Sequence, residues 1–130
     1  MIVINGKDAL LGRVASYSAK KALQGEEIAI VNCDELIISG NKQNIRAWFI
    51  QKRSRVGSGQ KGPKVSRNPE KFVKRVVRGM LPNHRTGRGR EALDRIKCYI
   101  GIPEQFKDAK RMEMFNEEQT KFIKIKELLE

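Results

Sequence analysis

Apolar runs and helical repeats alternate along the first third of the chain. Ile2–Ile4 and Ile28–Asn32 are short, mostly apolar runs, and this pattern predicts two buried strands. Between them, small and apolar residues from Leu11 to Ala22 recur at helical spacing, with Gly25 as the stop signal. A strand, a helix and a strand within about thirty residues predict a βαβ unit, in which the strands are parallel and the crossover is right-handed.

The middle of the chain continues with a third strand and a second helix. Leu36–Ser39 is apolar and is followed by a Gly-Asn turn signal, which predicts a strand. Ile45, Trp48 and Phe49 fall at i, i+3 and i+4, which places them on one face of a helix. Because the three share a face, Trp48 and Phe49 are predicted to lie in the core rather than to stack on bases.

Two more helices and a fourth strand follow. Asn68–Glu70 supplies an Asn N-cap, a Pro at the first helical position and an acid in the first turn, and predicts a helix as far as about Arg78. A helix over Thr86–Ile96 is predicted to lead into a strand at Cys98–Ile100. Residues 104–130 are predicted to end in a short helix, with a strand over Lys121–Lys126 as the open alternative.

These elements predict one domain over residues 1–130 with an α/β fold. The expected architecture has three layers, with a small parallel sheet of about four strands flanked by helices. An extended loop over Ser54–Asn68 and a C-terminal tail over 104–130 complete the prediction. The loop holds three glycines and little apolar surface, so it is expected to be extended.

All of the net charge of +12 lies between Gln51 and Arg90. This basic segment has one acid, Glu70, and thirteen cations, whereas the other ninety residues hold 14 basic and 14 acidic side chains. A cluster of this kind on a neutral body favours a polyanion as partner, because cations release the counterions of phosphates. The thirteen predicted RNA-binding residues are Lys52, Arg53, Arg55, Lys61, Lys64, Arg67, Lys71, Lys74, Arg75, Arg78, Arg85, Arg88 and Arg90.

The predicted helix after Asn68 separates cations from apolar residues. At about 100° per residue, its four cations fall within an arc of about 100°. They are Lys71, Lys74, Arg75 and Arg78. Phe72, Val73, Val76 and Val77 fall on the opposite side. One face is therefore predicted to enter the core and the other to present a row of cations to phosphates.

Two smaller features extend this hypothesis. Arg13, at the start of the first helix, and His84, beside Arg85, are further possible RNA-binding residues. Gly57–Gly62 matches the G-x-G-x-x-G pattern of dinucleotide sites but lacks the preceding strand and the following helix, so no nucleotide site is predicted there.

Several classes of site and of protein are disfavoured. One histidine, and two cysteines outside any Cys-x-x-Cys motif, predict no metal site, no cofactor and no catalytic residue. Cys33 and Cys98 are expected to be buried free thiols in a reducing cytoplasm. The sequence shows no signal peptide and no apolar run long enough to span a membrane.

Three parts of the chain resemble the universal L-thirteen family of large-subunit ribosomal proteins. The resemblance rests on Gly12–Ser16, on Val31–Gly40, and on Arg78–Pro82 leading to Gly89–Leu93 and Tyr99–Gly101. It covers about residues 1–103. It implies a three-layer α/β fold with a four-stranded parallel sheet, binding to large-subunit rRNA, and no catalysis.

Within that family the chain resembles the archaeal branch. The bacterial branch carries a Gly-Pro-Gly-rich segment with His and Tyr where this chain has Val56–Lys64, and the eukaryotic branch carries a long C-terminal extension that is not seen here. The expected partners are large-subunit rRNA and neighbouring ribosomal proteins, with no membrane and no small-molecule substrate. The expected location is the large subunit in the cytoplasm. The alternatives are an RNA-processing or nucleotide-using α/β enzyme and a DNA-compacting protein.

Overall fold

The computed structural model of the chain describes residues 1–55, 59, 66–113 and 121–129. Five α-helices lie in these ranges: α1 (Leu11–Leu23), α2 (Lys42–Ser54), α3 (Pro69–Gly79), α4 (Gly87–Asp94) and α5 (Ile125–Leu128). The strands are β1 (Ile2–Asn5), β2 (Ile28–Val31), β3 (Ile37–Ser39), β4 (Ile96–Cys98), β5 (Arg111–Glu113) and β6 (Phe122–Lys124). Within these ranges, no helix combines the length and the apolar content that a bilayer crossing requires.

The main sheet has four parallel strands in the order β4-β2-β1-β5. β1 and β2 are joined through α1, as the apolar pattern predicted, and Ile2 pairs with Ile28. The two strands are central because they are the most apolar, and all four residues of β2 are buried. The predicted α/β fold with a four-stranded parallel sheet is confirmed.

The sheet separates two clusters of buried side chains, which makes three layers. Ile4, Ile28 and Ile30 point to the larger cluster, which holds the inner faces of α1, α3 and α4. Val3, Ala29 and Val31 point to the other face, where Phe106 covers them. Phe106 belongs to a single 3₁₀ turn at 104–106, so this third layer is thin.

The third predicted strand exists, but it lies outside the main sheet. β3 pairs antiparallel with β6, and Ile38 lies opposite Ile123. The fourth strand of the main sheet is instead β5, which comes from the tail and pairs with β1. The two alternatives for Lys121–Lys126 are both partly right, because strand β6 is followed directly by helix α5.

The fourth predicted strand begins two residues earlier than expected, at Ile96 instead of Cys98. α4 ends at Asp94, so the predicted helix over Thr86–Ile96 was too long at both ends. Ile96 is fully buried and pairs with Ile28 of β2, and this pairing outweighs its helical spacing. Most of the predicted loop Ser54–Asn68 lies outside the described residues.

Candidate nucleic-acid interface

Helix α3 is fixed at its start by the cap that the sequence predicted. Oδ1 of Asn68 accepts a hydrogen bond from the backbone N–H of Glu70, with a donor–acceptor distance of 3.0 Å. Pro69 occupies the first helical position. Val73 and Val77 are fully buried in the main core, so the orientation of the helix about its axis is fixed.

The four cations of α3 lie along one hollow on its outer side. Lys71 and Arg75 are exposed, whereas Lys74 and Arg78 are half-buried. All four line this hollow, together with Ser66, Phe72 and Leu93. The structure therefore brings together the four cations that the helical pattern placed on one face. We call this set, Lys71, Lys74, Arg75 and Arg78, the cationic ridge.

The one acid of the basic segment is engaged elsewhere. Oε1 of Glu70 accepts a hydrogen bond from the backbone N–H of Ile100, 3.2 Å away, just beyond β4. The carboxylate therefore ties the start of α3 to the end of a strand. Acids of the neutral body pair with cations outside the basic segment, as Glu127 does with Lys42 at 3.5 Å.

A second hollow lies on the other side of the ridge, between α2 and α3. This second hollow has a volume of about 410 Å³. Arg75 and Arg78 line both hollows. We call the second hollow the α2–α3 groove. Its other lining residues are Trp48, Phe49, Lys52, Phe72, Val76, Gly79 and His84. Lys52, a predicted RNA-binding residue, and His84, a possible one, thus line the same groove as two residues of the cationic ridge.

The groove corrects the prediction made for Trp48. Phe49 is buried, as predicted, and meets the ring of Phe72 edge-on with 6.0 Å between the ring centroids. Trp48 is 50% exposed and is not part of the core. Adjacent helical residues differ by about 100°, and in α2 the buried face includes Phe49 but leaves Trp48 outside it. Phe72 and Val76, predicted on the core face, are half-buried because they form a wall of this groove.

A third hollow reveals a cation that the charge count missed. Arg46 lies seven residues before Arg53, on the same face of α2. Both line this hollow together with Arg67 and with one acid, Glu127. Arg46 was overlooked because it lies outside the segment over which charge was counted. The helical spacing from Arg46 to Arg53 was the available signal.

Three further cations lie in the turn between α3 and α4 and at the start of α4. Oδ1 of Asn83 accepts a hydrogen bond from the backbone N–H of Arg85, with a donor–acceptor distance of 3.2 Å. Arg85, Arg88 and Arg90 are all exposed. Gly89, between the last two, is buried against this turn.

The other residues that the sequence predicted as RNA-binding lie at separate places in the chain, and some of them lie outside the described residues. Arg55 is exposed just after α2. Arg13 is exposed on α1 and shares a shallow depression with Met80, the residue that follows α3, so it lies toward the same end of that helix. Lys61 and Lys64 lie outside the described residues, as does most of the Gly57–Gly62 motif.

The two cysteines are free thiols, Cys33 buried and Cys98 half-buried. Burial raises the pKa of Cys33 to about 12, and burial also raises the pKa of Cys98 to about 12, although the nearby Lys74 opposes the second shift. Both thiols therefore stay protonated and unreactive near neutral pH. Among the described residues, no three His, Cys, Asp or Glu side chains are grouped as metal ligands.

Comparison of the whole sequence with known proteins identifies the family of the chain. The sequence profile described as Ribosomal protein L13 matches residues 1–105, a range that includes the whole basic segment. The chain belongs to the ribosomal protein L13 family. The match ends before β5, so β5, β6 and α5 lie beyond the matched region.

Individual relatives agree with this assignment. The large ribosomal subunit protein uL13 of Methanococcus maripaludis is 47% identical over 107 residues, which cover 80% of this chain and 77% of the relative. The protein of the same name from Methanopyrus kandleri is 47% identical over 82% of this chain and 66% of its own length. That of Methanocaldococcus jannaschii is 40% identical over 98% of this chain and 94% of its own length.

These relatives confirm two of the predictions from the sequence. All three come from archaea, as the resemblance to the archaeal branch implied. They are named as proteins of the large ribosomal subunit, which decides against the alternative of an RNA-processing or nucleotide-using enzyme for this family member.

Proposed function

We propose that this L13 family member is a structural component of the large ribosomal subunit and holds folded large-subunit rRNA against its basic segment. The observation that carries the proposal is the arrangement around α3. Arg75 and Arg78 stand between two hollows, with Lys71 and Lys74 in one and Lys52 in the other. Cations spaced over adjoining hollows suit the phosphates of a folded RNA surface better than they suit a single small anion.

The rigidity of the α/β body supports this proposal. The ridge lies on a helix whose opposite face is buried, so its cations are held on a fixed frame. A fixed frame matches the shape of one RNA fold, whereas a mobile basic tail binds many polyanions alike. We expect most contacts to reach phosphates and riboses, which position the protein without reading sequence.

Salt titration tests the electrostatic part of the proposal. If about six to ten cations meet phosphates, affinity for in vitro transcribed large-subunit rRNA should fall roughly 10³- to 10⁵-fold between about 50 and 200 mM salt. The measurement is filter binding or fluorescence anisotropy at several salt concentrations. A nearly flat titration would contradict the proposal.

A competition experiment addresses the DNA-compacting alternative. Equal phosphate concentrations of folded rRNA and of duplex DNA should compete unequally, because a fixed surface that fits folded RNA does not fit a uniform B-form helix. We expect rRNA to displace duplex DNA at every salt concentration. Equal competition would favour the DNA-compacting alternative.

A further inference from the structure

The α2–α3 groove combines exposed aromatic surface with positive charge. Trp48 is half exposed, and the Nζ atom of Lys52 lies 4.9 Å from the centre of its ring. This cation–π contact restricts the indole on the outer side of α2. The floor of the groove is apolar, with Phe49 and Phe72 in edge-on contact.

The exposure of Trp48 is not explained by packing within the chain. Burying a large aromatic ring is among the strongest stabilising contributions that a side chain makes. Phe49, its neighbour, is buried in the core, yet Trp48 remains at the surface beside the ridge. An aromatic ring held in this way is available to a ligand with a flat, apolar face.

Charge and volume narrow the class of ligand. No acidic residue lines the groove among the described residues, whereas Lys52, Arg75 and Arg78 do. The volume of about 410 Å³ lies within the range of about 300–1,000 Å³ typical of pockets for small molecules. The lining of the groove suits a nucleotide, because a flat base can stack on the indole and a phosphate can pair with the cations. Unstacked bases of RNA commonly stack on aromatic side chains.

We infer that the α2–α3 groove is a binding site for one unstacked nucleotide of the rRNA, whose base packs against Trp48 and whose phosphate meets Lys52, Arg75 or Arg78. This inference rests on the proposed function, because it takes the RNA as the partner. It adds a base-stacking site to an interface that otherwise contacts backbone. The competing occupant is an apolar side chain of a neighbouring ribosomal protein, and the positive lining of the groove favours the nucleotide over it.

Trp48 is the only tryptophan of the chain, so its fluorescence reports on this groove alone. Stacking on a base quenches indole emission and shields the ring from a soluble quencher. We expect in vitro transcribed large-subunit rRNA to quench the emission of the protein and to reduce its quenching by acrylamide, a neutral quencher that the phosphates do not repel.

Two replacements of Trp48 separate stacking from simple apolar contact. Trp48→Leu keeps apolar bulk but removes the aromatic ring, and should weaken rRNA binding roughly 5- to 150-fold, the range for removal of one stacking platform. Trp48→Phe keeps a ring and should weaken binding much less. Leu23→Ala, at the end of α1 and 38% exposed, is the matched control and should bind like the wild type.

The outcomes distinguish the inference from the proposed function. If the wild type binds rRNA with steep salt dependence but its emission and acrylamide quenching stay unchanged, and Trp48→Leu binds equally well, the nucleotide site is wrong and the proposed function stands. If the wild type fails to bind rRNA at all, the proposed function itself fails. In whole large subunits, where other proteins also fluoresce, shielding of Trp48 is measured by chemical oxidation and peptide mass spectrometry. If Trp48 is shielded there but not in the protein–rRNA complex, the occupant is a protein and the inference is overturned.

Discussion

Gly89 lies buried between two exposed arginines, Arg88 and Arg90. Its backbone approaches the turn before α4 so closely that an added Cβ would collide with the carbonyl oxygens of Pro82 and Asn83. The only side chain that permits this approach is hydrogen. Gly89 therefore fixes where α4, and with it the two arginines, stands relative to the end of α3.

Gly89→Ala should destabilise the fold because backbone atoms, not flexible side chains, would have to move. We expect the free energy of unfolding, measured by urea denaturation, to fall by about 1–3 kcal/mol. Gly12→Ala, on α1, is the matched control, because an added Cβ there meets nothing within 4 Å. That variant should be neutral or more stable by up to about 1 kcal/mol. Equal stability of the two variants would contradict the close approach at Gly89.

The thiol of Cys33 makes stability depend on pH in the alkaline range. Its pKa is raised by burial from 9.0 to about 12, so between these values only the unfolded chain releases the proton. The contribution is fully present below about pH 9 and is lost as the pH rises toward 12. Ionisation of this thiol alone should lower the free energy of unfolding by at most about 1.4 kcal/mol per pH unit. Chemical denaturation at several pH values should give a shallower fall for Cys33→Ala, and equal slopes would contradict this assignment.

At the scale of the element, α3 unites a buried face and a charged one. Val77 is fully buried, and the cationic ridge lies on the other side of the helix. Replacing the four ridge residues by Gln should lower rRNA affinity and reduce the salt dependence of binding, by about 0.7–0.9 in log–log slope for each phosphate that the ridge no longer neutralises. Thermal stability should change little, since surface changes are usually within about 0.5 kcal/mol each.

Two controls make the result on α3 specific. Replacing Lys7, Lys20, Lys97 and Lys107 by Gln removes the same charge from exposed sites outside the basic segment, and should leave rRNA affinity nearly unchanged. Val77→Asp puts an unpaired charge in the core and should unfold the protein or cost several kcal/mol. If both sets of four Gln replacements weaken binding equally, only net charge matters and the ridge has no special role.

Elements with a strong local pattern could be predicted from the sequence. β1, α1 and β2 followed from their spacing, and the Asn68 cap fixed the start of α3. The placement of β3 could not be predicted, because a strand of three residues carries no signal for its partner and β6 lies more than eighty residues later. Trp48 and Phe49 both fit the helical spacing from Ile45, so the sequence did not decide which of the two rings is buried. The buried face of α2 is narrower than this spacing predicted.

At the scale of the whole molecule, the tail completes the fold. Ile123 and Ile125 are fully buried in the main core, and the backbone N–H of Ile125 donates to the carbonyl oxygen of Leu36 over 2.9 Å. β5 pairs with β1 along the edge of β1 that faces away from β2. The buried positions among the described residues of the tail lie mostly close together near its end, at Ile123, Ile125, Leu128 and Leu129. The mixed charge around them gave no sign in the sequence that they enter the main core.

Ile125→Ala should therefore cost about 2–5 kcal/mol, as other large-to-small changes in a core do. Ile102→Ala, which changes a residue that is 40% exposed, is its matched control and should cost much less. Urea denaturation of the two variants measures the difference. If Ile125→Ala is as stable as Ile102→Ala, the tail contributes little to folding.

The contribution of the tail to the core also sets an order of events during synthesis. The ribosome makes the chain from its N-terminus, so the basic segment is complete before Ile123 and Ile125 have been added. Until then the newly made protein carries its full excess of positive charge on a core that still lacks these side chains. All of the charge that would face RNA is therefore made before the residues that complete the core.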